Sequence, residues 1–290
     1  MPDSDMKTAL LGRHWTRPRF LGNSLLTTLC ISLSVATLIP LGSILFLVLQ
    51  KGIPLLSWQL FTQLPPAAGL TGGGIGNALT GSAFMVGLAM LMASPLGILA
   101  ALYTSEYNPL SQLTRAVRFS AKLLTGIPSI ICGVFAFSVI VLPMGHFSAL
   151  AGSVALAVLA LPTILLTTEQ ALLSVPRNFH EASYALGASR FQTIWRVALP
   201  EALPAIMTGL MLALARAAGE TAPLIFTALF SAYWTKSPMD PSASLSVQIY
   251  NFATLPYAYQ VQLAWTASLV LVALVTITNV AAHLVFSRKD

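Results

Sequence analysis

Residues Leu123–Thr168 read LLTGIPSIICGVFAFSVIVLPMGHFSALAGSVALAVLALPTILLTT, without a single Asp, Glu, Lys or Arg. About 20 apolar residues carry a helix across the ~30 Å of hydrocarbon in a bilayer. This run is long enough to cross twice. Pro143-Met144-Gly145-His146 supplies the turn between the two crossings. Lipid offers the backbone no hydrogen-bond partner, so helices are the natural form. The alternating pattern of a barrel strand is absent. The run therefore predicts one span at about Leu123–Leu142 and the next at about Leu150–Leu172.

The same reading extends outward. No charged residue occurs between Arg19 and Lys51, between Lys51 and Glu106, or between Asp240 and Arg288. These gaps place a first span at about Leu25–Leu49, a second at about Leu79–Tyr103 and a last at about Leu263–Phe286. A fifth, about Ala205–Phe230, is interrupted by Arg216 and Glu220. The expected fold is an all-α polytopic integral membrane protein with six transmembrane helices. Residues 1–24 form an N-terminal tail and residues 25–290 a single transmembrane domain. The loops near Gly52–Ala78 and Ser231–Gln262 are polar to mixed and rich in Gly, Pro and Ser.

Composition agrees. Of 290 residues, 56% are hydrophobic and 8% charged, against about a quarter charged in soluble domains. That excludes an ordinary soluble enzyme. The net charge of +6 is scattered over short connections, so no basic domain for nucleic acid exists. The apolar run from Leu25 is too long for a signal-peptide core, and further spans follow it, so no cleavable signal peptide is expected. With six spans, twelve Lys and Arg fall on one side and only Lys51 and Lys236 on the other, Arg216 being inside a span. The positive-inside bias puts both termini in the cytoplasm.

Several chemistries are missing. There is no Gly-Lys pair, hence no P-loop, and no His-Glu-x-x-His or Gly-x-Ser-x-Gly. Cys30 and Cys132 lie in apolar runs without ligand spacing, and His14, His146, His180 and His283 are isolated, which reads as interfacial or solvated. No metal site and no catalytic residue is expected. Gly72–Gly76 resembles an anion nest, but reads more simply as a flexible lead-in to the second span. Glu169 sits near the cytoplasmic end of its span, where a carboxylate snorkels or braces a loop.

Two segments carry functional information. The first is Glu181-Ala182-Ser183-Tyr184-Ala185-Leu186-Gly187-Ala188-Ser189-Arg190-Phe191-Gln192-Thr193-Ile194-Trp195-Arg196-Val197-Ala198-Leu199-Pro200. It reads as two short helices turned at Gly187, the second ended by Pro200. Phe191, Ile194, Trp195 and Val197 supply apolar area. The second segment is Arg216-Ala217-Ala218-Gly219-Glu220-Thr221-Ala222-Pro223. Arg216 and Glu220 stand one turn apart near mid-membrane, where a lone charge costs at least about 2.5–3.5 kcal/mol. They either fix packing as an ion pair or line the path of an anion, since the Arg fork suits phosphate-like oxygens. Gly219 and Pro223 make the helix easy to bend there.

Glu-Ala-Ser, three residues, Gly, nine residues, Val-x-Leu-Pro resembles the EAA loop of ABC importer permeases. Ser183 and Val197 depart from that family's Ala and Ile. The resemblance implies a cytoplasmic coupling loop at about 176–204, with Glu181, Ala182, Ser183, Gly187, Val197, Leu199 and Pro200 docking on a separate ATPase. Arg216–Leu224, Gly126–Ile130, Gly73–Ala78 and Thr167–Glu169 resemble the phosphate-specific branch of those permeases. Glu220–Leu224 and the short outer loop resemble the type that pairs with PstC, not PstC itself. The resemblance covers about residues 70–286 and puts the permease core at about 74–286. It implies that Arg216 and Glu220 lie on the translocation path. It also implies a second, PstC-type permease, two cytoplasmic ATPase subunits, an external phosphate-binding protein and a prokaryotic inner membrane. ATP and Mg would be bound by the ATPase, so no cofactor belongs to this chain. The physical reading leaves sulfate, molybdate or phosphonate open as cargo, and a non-transport membrane scaffold as a third alternative.

Overall fold

The computed structural model describes residues 18–286, and among them every regular element is helical. The expected tail therefore lies largely outside the described residues, as do Arg288 and Lys289. The chain divides after Gln50 into two compact units.

The first unit is carried by α1 (Pro18–Gly52). It is apolar all round, and Leu25, Ile31, Leu38 and Phe46 are exposed. Such a helix is stable only inside lipid or a larger assembly. Hydroxyls along it are satisfied within the helix: Thr27, Thr28 and Ser34, for example, donate to the carbonyls of Asn23, Ser24 and Cys30.

The second unit begins with short α2 (Trp58–Thr62), then α3 (Gly76–Leu102), which ends in a wide π-type turn, Tyr103–Tyr107. Next come α4 (Gln112–Gly126), α5 (Ser129–Ala136, continuing to Met144) and α6 (Ala149–Leu173). A loop with α7 (Arg177–Ala185) and α8 (Arg190–Thr193) leads into α9 (Leu199–Gly219). Then follow α10 (Ala222–Thr227), α11 (Leu245–Ala253) and α12 (Ala258–Phe286). The most buried rod is α6, whose Ala151, Ala155, Leu156 and Ile164 are closed off. Small residues let its neighbours come close: Gly97 of α3 lies against Ile164, and Gly209 of α9 against Thr167.

Five helices are long and apolar enough to cross a membrane, and a bent pair makes up to six. That pair corrects the expected third span. Gln112–Gly126 and Ser129–Met144 meet at 106°. Pro128 has no N–H, and it holds Ile127 extended at φ −76°, ψ 133°. The apolar rod is therefore Ser129–Met144, shorter than a full crossing, and basic α4 turns away from it.

Three further expectations change. The fifth span stops at Gly219, because Glu220 is extended at φ −71°, ψ 129°, and α10 restarts with Pro223 in its first turn. The loop Ser231–Gln262 contains α11, whose Leu245, Val247 and Phe252 are buried in the core. Within Gly72–Gly76, residues Gly73–Gly76 are packed against the preceding segment. Gly72 and Gly73 have φ of +91° and +70°, and a Cβ on Gly73 would lie 2.5 Å from the Leu64 carbonyl. The N–H groups of Gly74, Ile75 and Gly76 donate to the carbonyls of Leu64, Leu60 and Gln63. They are spent, so no anion nest remains.

Candidate functional site

The α6–α9 loop is built by local rules. Pro176 precedes the first turn of α7, where a proline fits. Gly187 closes α7 at φ +82°, with its N–H donating to the Tyr184 carbonyl at 2.9 Å. That left-handed geometry is nearly free only for glycine. Ser189 then caps α8 through a reciprocal box: its N–H donates to Gln192 Oε1 at 2.8 Å, and its Oγ accepts the Gln192 N–H at 3.3 Å. A hydrogen bond of 2.9 Å between Ser183 Oγ and Thr193 Oγ1 joins the two helices.

Two details differ from expectation. Pro200 does not end the second helix. It sits in the first turn of α9, and a π-type turn at Ile194–Ala198 absorbs its missing N–H, so helix continues from Arg190 to Gly219. Ile194 is buried with Leu102, Leu172 and Ile206 instead of facing outward. The apolar surface left outside is Phe179, Tyr184, Leu186, Phe191 and Trp195, with Leu186 89% exposed. The Phe191 and Trp195 rings stand 5.9 Å apart. Glu181, Ala182 and Pro200 are exposed, while Ser183, Val197 and Leu199 are half-buried.

The loop is also tied to the end of α3. The Arg190 guanidinium donates to the carbonyls of Glu106 and Tyr107 and stands 5.4 Å from the Tyr107 ring centre. His180 Nε2 lies 3.4 Å from Glu106 Oε2, so His180 is paired and mostly sheltered rather than solvated. Beside them Arg118 Nε donates to buried Glu169 Oε1 at 2.8 Å, and Nη2 to the Thr104 carbonyl at 3.0 Å. Glu169 thus braces α4 and the α3 end against α6. The reading of the sequence missed Arg118, Glu106 and His180. The only available signal was a charge placed at the lip of an apolar run.

The intramembrane pair lies at the far end of α9. Arg216 Nε is 3.6 Å from Glu220 Oε1, with the Arg216 side chain 42% exposed and that of Glu220 16%. They meet across the break after Gly219 rather than along a continuous helix. The Glu220 carbonyl, freed by that break, accepts Ser246 Oγ of α11 at 2.7 Å. From the other side α5 presses in: a Cβ on Gly133 would lie 2.6 Å from Pro223 Cα. Neither charge is alone, but the Arg216 side chain stays partly exposed. A charged fork does not face lipid stably, so a wet cavity or another protein covers it.

Residues 93–290 match the model of the binding-protein-dependent transport system inner membrane component family. The chain belongs to this family. Among relatives, it is 40% identical over 246 residues to the phosphate transport system permease protein PstA of Yersinia pestis, covering 85% of this chain and 83% of that protein. It is 42% identical to PstA of Haemophilus influenzae, covering 85% and 87%. The probable PstA of Methanocaldococcus jannaschii is 37% identical, covering 83% and 85%. Two solved structures share the fold. A chain of the inward-facing MetNI methionine ABC transporter aligns with TM-score 0.60 at 24% identity, over 74% of this chain and 93% of that one. A chain of a bacterial alginate-importing ABC transporter aligns with TM-score 0.65 at 16% identity, over 94% and 98%. As an inner membrane component of this family, the chain is a multi-pass membrane protein and a transport permease.

Proposed function

We propose that this chain is the permease subunit of an ATP-driven importer of inorganic phosphate. The observation that carries this is the helix from Arg190 to Gly219, which joins the apolar loop at one end to the Arg216–Glu220 pair at the other. Val197 and Arg216 are separated by roughly 28 Å along it, at 1.5 Å per residue. Relatives at this level of identity are phosphate transport system permeases.

The chain has no P-loop, so ATP and Mg belong to two copies of an ATPase in the cytoplasm. Phe179, Leu186, Phe191 and Trp195 offer that ATPase an apolar grip on the inner side, where most Lys and Arg lie. Both termini are then cytoplasmic. Closure of the ATPases moves Glu181–Pro200 as a body. Ser183–Thr193 keeps the loop stiff, and Arg190 and His180 carry the motion into α3 as well as α6 and α9. Rigid-body rocking of this kind switches the side to which a central path opens.

Arg216 faces the second, PstC-type permease, and the path runs between them. Its fork binds two oxygens of the anion, and Glu220 neutralises it when the path is empty. An external phosphate-binding protein delivers the cargo. The test is ATP-driven uptake of radiolabelled phosphate by the reconstituted complex, with sulfate, molybdate and phosphonate as competitors. Phosphate should be preferred, and Arg216→Lys, which keeps charge but loses the fork, should slow uptake by about tenfold, or ~1.4 kcal/mol. Equal competition by the other oxyanions removes the preference for phosphate, and no uptake of labelled phosphate removes it as the cargo.

A further inference from the structure

The segment between α10 and α11 folds back on the first turns of α3. A Cβ on Gly81 would collide with the Ala243 carbonyl, so the two backbones touch. Beside that contact lies a cleft of about 320 Å³, lined by Thr80, Thr235, Lys236 and Ser237 among others. Among the described residues Lys236 is its only basic group, and it is exposed. Ser237 Oγ accepts the Met239 N–H at 3.2 Å, which leaves its own proton for an incoming oxygen.

A seam of hydroxyls runs inward from this cleft. Thr235 Oγ1 donates to Ser242 Oγ at 2.7 Å, and Ser82 Oγ accepts the Leu245 N–H at 2.8 Å. Ser244 Oγ and Ser246 Oγ are 3.1 Å apart, and Ser246 Oγ reaches the Glu220 carbonyl at 2.7 Å. Ser242, Ser244 and Ser246 are buried. Gln248, one turn after Ser244, is fully buried, and neither of its amide atoms has a partner among the described residues. Leaving such a buried group unpaired is costly, and an apolar residue would avoid it. Polarity kept at that expense points to a hydrophilic solute passing by.

We infer that the cleft at Thr80, Thr235, Lys236 and Ser237 is an outer oxyanion subsite, from which phosphate moves along the Ser242–Gln248 seam to Arg216. This rests on the reading of the chain as an oxyanion importer. The seam is shut in the described state, and opening it turns the serine hydroxyls and the Gln248 amide toward the anion. One ammonium and a few hydroxyls bind weakly, which suits a stop that the solute must leave again. Asp240, in the same turn, accepts the Ser237 N–H at 3.0 Å, and its charge keeps the subsite weak.

The test uses the complete permease–ATPase complex in nanodiscs, without the external receptor, and inorganic phosphate as probe. A membrane-impermeant acylating reagent is applied, and the modification of Lys236 and Lys51 is read by mass spectrometry. Lys51, 5.0 Å from the centre of the Trp265 ring, is the internal control. Millimolar phosphate should slow acylation of Lys236 about threefold, a level set by site occupancy, and chloride at equal ionic strength should not. Lys51 should be unaffected. Equal rates with and without phosphate overturn the subsite. Protection given only by the external binding protein also overturns it, since Lys236 is then a docking contact. In the full system Lys236→Gln should raise the phosphate concentration for half-maximal uptake about fivefold, with Lys236→Arg restoring most of it. If uptake is phosphate-specific and Arg216-dependent while Lys236 is unprotected, the subsite alone falls. If the complex moves no phosphate at all, both readings fall.

Discussion

The α6–α9 loop and the α10–α12 connection are both loops by composition, yet they fold by different means. In the first, the turn and the caps are set within a few residues, Gly187 with Tyr184 and Ser189 with Gln192, and Arg190 and His180 then tie the finished loop to the end of α3. In the second, the binding partners are far away in the chain. Leu245 reaches Ser82, Ser231 takes the Asn77 amide, and Ser246 reaches Glu220. A loop folded locally can move as a body, as the proposed lever requires. A loop held by distant helices follows their separation, as opening of the proposed seam requires.

The largest effect should come from breaking the local rule. Gly187→Pro forces φ to about −65° where +82° is needed and deletes an N–H donor. Phosphate uptake should be lost while ATPase activity persists, measured as phosphate moved per ATP hydrolysed. Persistence of tight coupling would show that the loop is not the lever. Next comes the distant rule. Gly81→Val drives a side chain into the Ala243 carbonyl and should destabilise the outer connection by about 1–3 kcal/mol. Thermal unfolding in detergent should fall, and Ser242→Cys should gain access to aqueous thiol reagents. Unchanged access would mean that the seam does not depend on this contact.

Smaller effects separate lever from brace. Glu106→Gln removes the charge facing His180 in this mostly sheltered pair and should lower the coupling ratio by a few-fold. The melting temperature should hardly change. A large loss of stability with intact coupling would make Glu106 a brace alone. Ser183→Ala deletes one hydroxyl bond to Thr193 and should cost no more than about 1 kcal/mol, with uptake close to normal. A complete loss of uptake there would mean that the two halves of the loop cannot tolerate any slack.

The same contrast explains what the amino-acid sequence disclosed. Spans α1, α3, α6 and α12 follow from gaps between charges, because lipid penalises every charge in the same way. Gly187 was legible because one backbone angle demanded it. The 106° bend at Pro128 was harder, since a proline inside a span is often tolerated, as Pro162 is within α6. Burial of α11 was hidden, because the partners at its start lie elsewhere in the chain: the Leu245 N–H is met by Ser82 Oγ and the Ser246 hydroxyl by the Glu220 carbonyl. Arg118 and Glu169 likewise meet only once α4 and α6 pack. For the site, the residues at Arg216 and Glu220 were legible as costly charges, and the backbone break that brings them together was foreshadowed only by Gly219 and Pro223.

The most direct measurement is ATP-driven uptake of labelled phosphate into proteoliposomes holding the complete transporter, with wild-type chain and with Arg216→Gln. Uptake by the wild type and a loss of about tenfold or more in the variant, with ATPase activity retained, is the expected result. Equal uptake by the two would contradict a path for phosphate past Arg216.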